Sequence, residues 1–234
     1  MTNEILFFGF FLSLSLINLV AFYFGKNAIF VLVAVYSILM NLFVTKQFDL
    51  FGLAITGGNA LYGAIFLLTD ILSEHYDKKA AQKSVLIGFC SVLVFVGATQ
   101  VLLAFQPNHF DFANESLHTL FALAPRIFLA SILAYFIAQN LDIYLYQKIK
   151  KLSGNRFLFL RNNISTLISQ AVDTLLFTLI GLTTFGGIQG VIDPSIFWEI
   201  VITTYSIKIL ISLSDTPFMY LSVWVKKWKI EKER

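Results

Sequence analysis

Residues 5–24 read ILFFGFFLSLSLINLVAFYF, an unbroken run with no charged side chain. About 20 apolar residues in helical form cross the hydrocarbon core of a bilayer, so this stretch predicts a membrane-spanning helix. Working outward, six further apolar runs appear at about 28–45, 55–76, 84–105, 120–147, 163–184 and 196–223. Strand-like alternation is absent, and no window divides the chain. The expected fold class is therefore all-α: a polytopic membrane helix bundle of about seven transmembrane helices, with residues 1–234 as one integral membrane domain.

Composition points the same way. The 234-residue chain is 57% hydrophobic and 13% charged, with a mean hydropathy of +0.76, whereas soluble domains carry about a quarter charged residues. Its net charge of +3 comes from basic residues clustered between apolar runs. That is a pattern of membrane topology rather than of a nucleic-acid-binding face, so membrane lipid is an expected partner and nucleic acid is not. Cys90 is the single cysteine, which gives no disulfide framework and no cysteine metal site. No basic segment precedes the first run, so a cleaved signal peptide is not expected.

Of the 17 basic residues, all but Lys46, Arg126 and Lys208 fall in alternate connections: Lys26, then Lys78, Lys79 and Lys83, then the segment from Lys148 to Arg161, then the tail from Lys226. The intervening connections hold Glu4, Asp111 and Glu115 and lack such clusters. Cytoplasmic loops collect Lys and Arg, so the amino terminus is expected outside and the carboxyl terminus in the cytoplasm.

Charges inside the runs carry the functional signal. Lys208 lies near the middle of the last run, where a charge costs roughly 2.5–3.5 kcal/mol on insertion scales, and Asp173 lies about as deep in the run at 163–184. Either they form a structural ion pair or they mark a path for a solute or proton. In the third run, Gly57-Gly58 weakens helix and places its start near Asn59. Tyr62, Phe66, Asp70 and Glu74 then recur every four residues, so two aromatics and two acids share one stripe. Glu74 reads either as part of that stripe or as a solvated residue at the helix end.

Gln139-Asn-Leu-Asp142 and Gln170-Ala-Val-Asp173 each place an amide and a carboxylate three residues apart, on one helical face. Asp142 is expected near the inner end of its helix, either as a helix-end acid or as a weaker site candidate, and Asp173 deeper. Arg126, after Pro125, either holds a carboxylate or carbonyl with its planar fork or snorkels to headgroups. Lys46 opposes the charge bias and reads as a second snorkelling residue. His75, His109 and His118 lack metal-ligand spacing. The chain has no Walker-type loop, no His-Glu-x-x-His, no Gly-x-Ser-x-Gly and no dinucleotide glycine fingerprint. No enzyme, metal or cofactor is expected from such a sequence.

Several segments together resemble a known family. They are Thr69-Asp70-Ile-Leu-Ser-Glu74-His-Tyr76, Pro125-Arg126 with Ala130-Ser131, Gln139-x-x-Asp142, and Arg161-Asn162-Asn-Ile-Ser165-Thr166-Leu-Ile-Ser169-Gln170-Ala-Val-Asp173, with Ile207-Lys208, Pro217, and Asn41 with Lys46. This set is similar to the queuosine precursor transporters, also called vitamin uptake transporters, over about residues 30–223. The first run looks like an addition to a six-helix family core. Departures fall at Gly63, where the family usually has proline, at Asp77 in place of glycine, and at Gln82 in place of arginine.

The resemblance implies import of 7-cyano- or 7-aminomethyl-7-deazaguanine across a bacterial inner membrane, for making the modified tRNA nucleoside queuosine. It makes Tyr62, Phe66, Asp70, Glu74, Arg126, Gln139, Asn162, Gln170, Asp173 and Lys208 candidate substrate residues, with Asn41, Lys46 and Asp142 as further candidates. Proton exchange at Asp173 or Asp70 and docking on an ATP-driven module are the two expected routes of energy supply. An intramembrane enzyme or a scaffold is the rival class. The enzyme lacks a nucleophile-and-base set at depth, and the scaffold gives no reason for acids in lipid.

Overall fold

The computed structural model describes residues 2–121, 125–154, 156–183 and 193–232, with the backbone alone at 125–128 and 232. The expected runs appear as α1 (Asn3–Phe24), α2 (Lys26–Phe43), α3 (Gly58–His75), α4 (Lys78–Ala104), α6 (Pro125–Leu152), α7 (Leu158–Phe177) and α8 (Phe197–Lys232). A short surface helix, α5 (Asn114–Phe121), joins α4 to α6. All of these except α3 and α5 are long and apolar enough to cross a membrane.

The exception is the centre of the bundle. α3 packs against α1, α2, α4, α6 and α8, and every residue from Ala60 to Ser73 is buried. A helix buried on all sides is shielded from lipid by protein, so it can carry Asp70 and Glu74 where an exposed helix could not. Its 18 residues rise about 27 Å, near the thickness of a bilayer core.

Helix association in lipid depends on close packing rather than on the hydrophobic effect, and small residues permit it. Gly63 is such a point: a Cβ there would overlap Ile211 of α8 and press on Phe11 of α1. Gly57-Gly58 is another, because side-chain carbons at these positions would lie 3.1 Å and 3.0 Å from the carbonyl oxygens of Phe43 and Met40. The pair lets the start of α3 lie against the end of α2. Asn18 of α1 donates from Nδ2 to the Ala64 carbonyl at 2.9 Å, so the first helix is built into the core rather than appended to it. Asp77 accepts from Ala80 N at 2.6 Å and caps α4, a use for this acid at the helix start.

The expectation of no strands fails at one place. β1 (Gln47–Leu50) and β2 (Leu53–Thr56) pair antiparallel through Gln47 to Thr56 and Leu50 to Leu53. Their two-residue turn, Phe51-Gly52, has positive φ at both positions, 53° and 77°, as tight hairpin turns require. Four residues per strand are too few for a visible alternation. α1 ties the hairpin down: Asn3 Nδ2 donates to the Asp49 carbonyl at 3.0 Å, and Glu4 Oε1 accepts from Phe51 N at 3.1 Å.

Candidate functional site

At the hairpin end, α2, β2, α3, α6, α7 and α8 surround a cavity of about 210 Å³. Its wall includes Asn41, Tyr62, Ser131, Tyr135, Asp173 and Lys208. Lys208 Nζ of α8 meets Asp173 Oδ2 of α7 at 2.5 Å and lies 4.6 Å from the centre of the Tyr62 ring. Both ionic side chains are under 10% exposed. The two charges that sequence placed at equal depth are thus one buried ion pair on a cavity wall, with an aromatic face against the ammonium. Tyr62 and Phe66 have ring centres 4.9 Å apart. The buried hydroxyl of Tyr62 lies beside Asp173 and that of Tyr135 beside Ser37, neither in good hydrogen-bond geometry, so both can turn to another partner in the cavity.

Beyond the cavity is a buried polar layer. Asp70 of α3, Asp142 of α6 and Asp215 of α8 are inaccessible to solvent. Thr166 Oγ1 donates to Asp70 Oδ2 at 3.4 Å, Ser169 Oγ to Asp142 Oδ1 at 3.1 Å, and Asn162 Nδ2 to Asp215 Oδ1 at 2.9 Å. Gln139 Oε1 accepts from Thr69 at 3.1 Å, and Gln170 is buried nearby on α7. The helix-end reading of Asp142 is corrected here. α6 runs on to Leu152, which carries Asp142 into the interior.

At the opposite end of α3, Glu74 is clamped rather than solvated. Arg161 donates from Nη2 to Oε1 at 2.7 Å and from Nε to Oε2 at 3.0 Å, Tyr146 donates its hydroxyl to Oε2 at 2.9 Å, and Lys150 Nζ lies 3.1 Å from Oε2. Lys150 also donates to the Glu74 carbonyl at 2.8 Å. These contacts tie α3 to α6 and α7 at the end remote from the cavity. A bidentate Arg–carboxylate pair is a geometrically specific link.

The structure therefore distributes the expected site residues over three levels. Asn41, Tyr62, Asp173 and Lys208 share the cavity; Phe66 lies beside Tyr62; Asp70, Gln139, Asp142, Asn162 and Gln170 lie in or beside the polar layer; Glu74 belongs to the remote clamp. Lys46 is exposed beside the hairpin, where its carbonyl accepts from Gly57 N at 2.9 Å. The Arg126 side chain lies outside the described residues. Sequence reasoning missed Asp215, although an acid inside an apolar run is the same signal that singled out Lys208. It also counted Arg161 as a loop cation, when the residue stands in the first turn of α7 and its side chain is 3% exposed.

A multi-pass helix bundle with ionised side chains on an interior cavity and acids kept from lipid has the build of a membrane solute carrier. Comparison with known proteins gives the particular kind. The family described as "Putative vitamin uptake transporter" matches residues 56–222, and the chain belongs to that family. A Bacillus subtilis (strain 168) protein named "Probable queuosine precursor transporter" is 37% identical over 217 residues, covering 92% of each chain. No solved structure matches. The protein is thus a multi-pass membrane protein of a transporter family.

Proposed function

We propose that the chain imports the queuosine precursors 7-cyano-7-deazaguanine or 7-aminomethyl-7-deazaguanine, and that the base binds in the cavity at the hairpin end. The observation that carries this reading is the Lys208–Asp173 pair beside the Tyr62 ring. A guanine-like edge presents a carbonyl acceptor next to an N–H and an amino donor. A cation and a carboxylate side by side are its complement: Lys208 donates to the ring carbonyl while Asp173 accepts from both donors. Tyr62 supplies a face for stacking, and Asn41, Ser131 and Tyr135 remain for the 7-substituent.

The name of the Bacillus relative supports this substrate class. The Lys and Arg bias supports an orientation with the hairpin end outside and the Glu74 clamp at the cytoplasmic end. In that orientation the described arrangement is open toward the outside and fastened within.

Uptake of labelled 7-cyano-7-deazaguanine by cells expressing the protein, with unlabelled bases as competitors, tests the proposal. Competition is expected from 7-aminomethyl-7-deazaguanine and not from adenine, whose edge has a different donor order. A well-expressed protein that takes up no deazaguanine, or one that adenine blocks equally, refutes it.

A further inference from the structure

Asp70, Asp142 and Asp215 come from three different helices and face one another without a cation. Asp70 is within electrostatic reach of both other acids, and all three are fully buried. The nearby cations are committed elsewhere: Lys208 to Asp173, and Arg161 and Lys150 to Glu74. From the elements packed on α3, the titratable groups facing Asp70 are Asp142 and Tyr146 of α6 and Asp215 of α8. On α3 itself, Glu74 lies one turn further and is held by its two cations. The charged residues of α1, α2 and α4 are confined to Glu4, Lys26, Lys78, Lys79 and Lys83, near the ends of those helices.

Each acid receives one neutral donor on one oxygen, from Thr166, Ser169 or Asn162. Asp70 Oδ1, Asp142 Oδ2 and Asp215 Oδ2 receive no donor in good hydrogen-bond geometry, and Asp70 and Asp142 lie within hydrogen-bond reach of each other. Two buried amide atoms on side chains bonded into the same layer, Gln139 Nε2 and Asn162 Oδ1, also have no partner in such geometry. Uncompensated charge in a dry interior costs several kcal/mol per ion, and carboxylates sharing a site cannot all ionise. A positive species must therefore reside among them. Among the described residues no three His, Cys, Asp or Glu side chains converge as metal ligands do, and a proton needs only one carboxyl oxygen to hold it.

We infer that the Asp70–Asp142–Asp215 layer binds the proton whose inward movement drives uptake. This rests on the importer reading above and replaces Asp173, which has its own cation in Lys208, as the coupling acid. The proton comes from solution on the cavity side and is held between the carboxyls. It leaves toward the Glu74 end when the bundle opens there. Only O–H bonds form and break, and Thr166 and Ser169 hydroxyls stand beside the acids as neutral donors.

The test uses the purified full-length protein in liposomes. Counterflow, the exchange of external labelled for preloaded unlabelled 7-cyano-7-deazaguanine without a pH or sodium gradient, reports the carrier itself. Uptake driven by an outside one pH unit more acid reports the coupling. One proton per base predicts about tenfold accumulation inside, abolished by a protonophore, and Asp142→Asn is expected to bring that ratio toward one. Counterflow without a response to the pH gradient overturns the proton assignment and leaves the substrate reading intact. Equal stimulation by a sodium gradient at constant pH overturns it as well. Absence of both counterflow and binding removes the importer reading and this inference with it. The wild-type response decides the matter even where the Asp142→Asn protein fails to fold.

Discussion

Replacing Lys208 by methionine keeps much of the side-chain volume and strands the Asp173 carboxylate, whose Oδ2 lies 2.5 Å from Nζ. The side chains of the pair are 9% and 8% exposed, and removing one partner of a buried pair costs about 3–5 kcal/mol. The adjacent cavity lets solvent reach the stranded acid, so the lower end, about 3 kcal/mol, applies to Lys208→Met. For a chain of this size that corresponds to a fall in Tm of about 6–12 °C. Adding Asp173→Asn removes the stranded charge, and the double variant is expected to recover about half of the loss or more. Uptake of the deazaguanine is expected to stay lost, because neither the donor to the carbonyl nor the paired acceptor remains. Thermal unfolding of the detergent-purified variants, with uptake measured in parallel, checks both halves. A double variant no more stable than Lys208→Met refutes the coupling between the two side chains. Wild-type uptake by the double variant refutes their part in recognition.

Tyr62→Leu removes the ring beside the ion pair. Base–aromatic stacking is worth about 1–3 kcal/mol, so binding of 7-cyano-7-deazaguanine measured by calorimetry should weaken about tenfold or more, and an unchanged Kd would count against stacking there. Glu74→Gln leaves the buried Arg161 guanidinium without its bidentate partner, so a loss of about 2–4 kcal/mol in thermal unfolding is expected; no change in Tm would show the clamp to be idle. Gly63→Ala drives a Cβ into Ile211 and to 3.2 Å from Phe11 Cε2. Overpacking of that kind costs about 1–3 kcal/mol, and the companion Ile211→Val should restore part of it; without any restoration, the contact is not the cause.

The seven long helices could be read from the chain because lipid imposes a length on each apolar run, whereas their ends could not: α4 and α7 begin five or six residues earlier than their runs, and α6 and α8 extend five and nine residues beyond theirs. The hairpin at 47–56 escaped because its strands have four residues each and sit directly after a helix. At the site, a charge in an apolar run was a sufficient sign for Lys208 and Asp173. Their pairing was one of two open readings, since depth alone does not tell whether two helices face each other. The readings of Asp142 and Glu74 stayed open for a related reason. Their surroundings are set by where α6 and α7 cross α3, and the spacing within one helix carries no information about that crossing.

The burial of α3 bears on how the chain enters a membrane at all. α3, which carries both Asp70 and Glu74, is the one long helix among the described residues that falls short of the apolar character of a membrane span, so a nascent chain that has only just emitted it holds a segment that depends on its neighbours for shielding. α4, α6 and α8, which wrap it, are made afterwards. A chain cut short before α8 leaves α3 uncovered on the face that α8 packs against, and faster degradation of that truncation than of the full chain is the expected consequence.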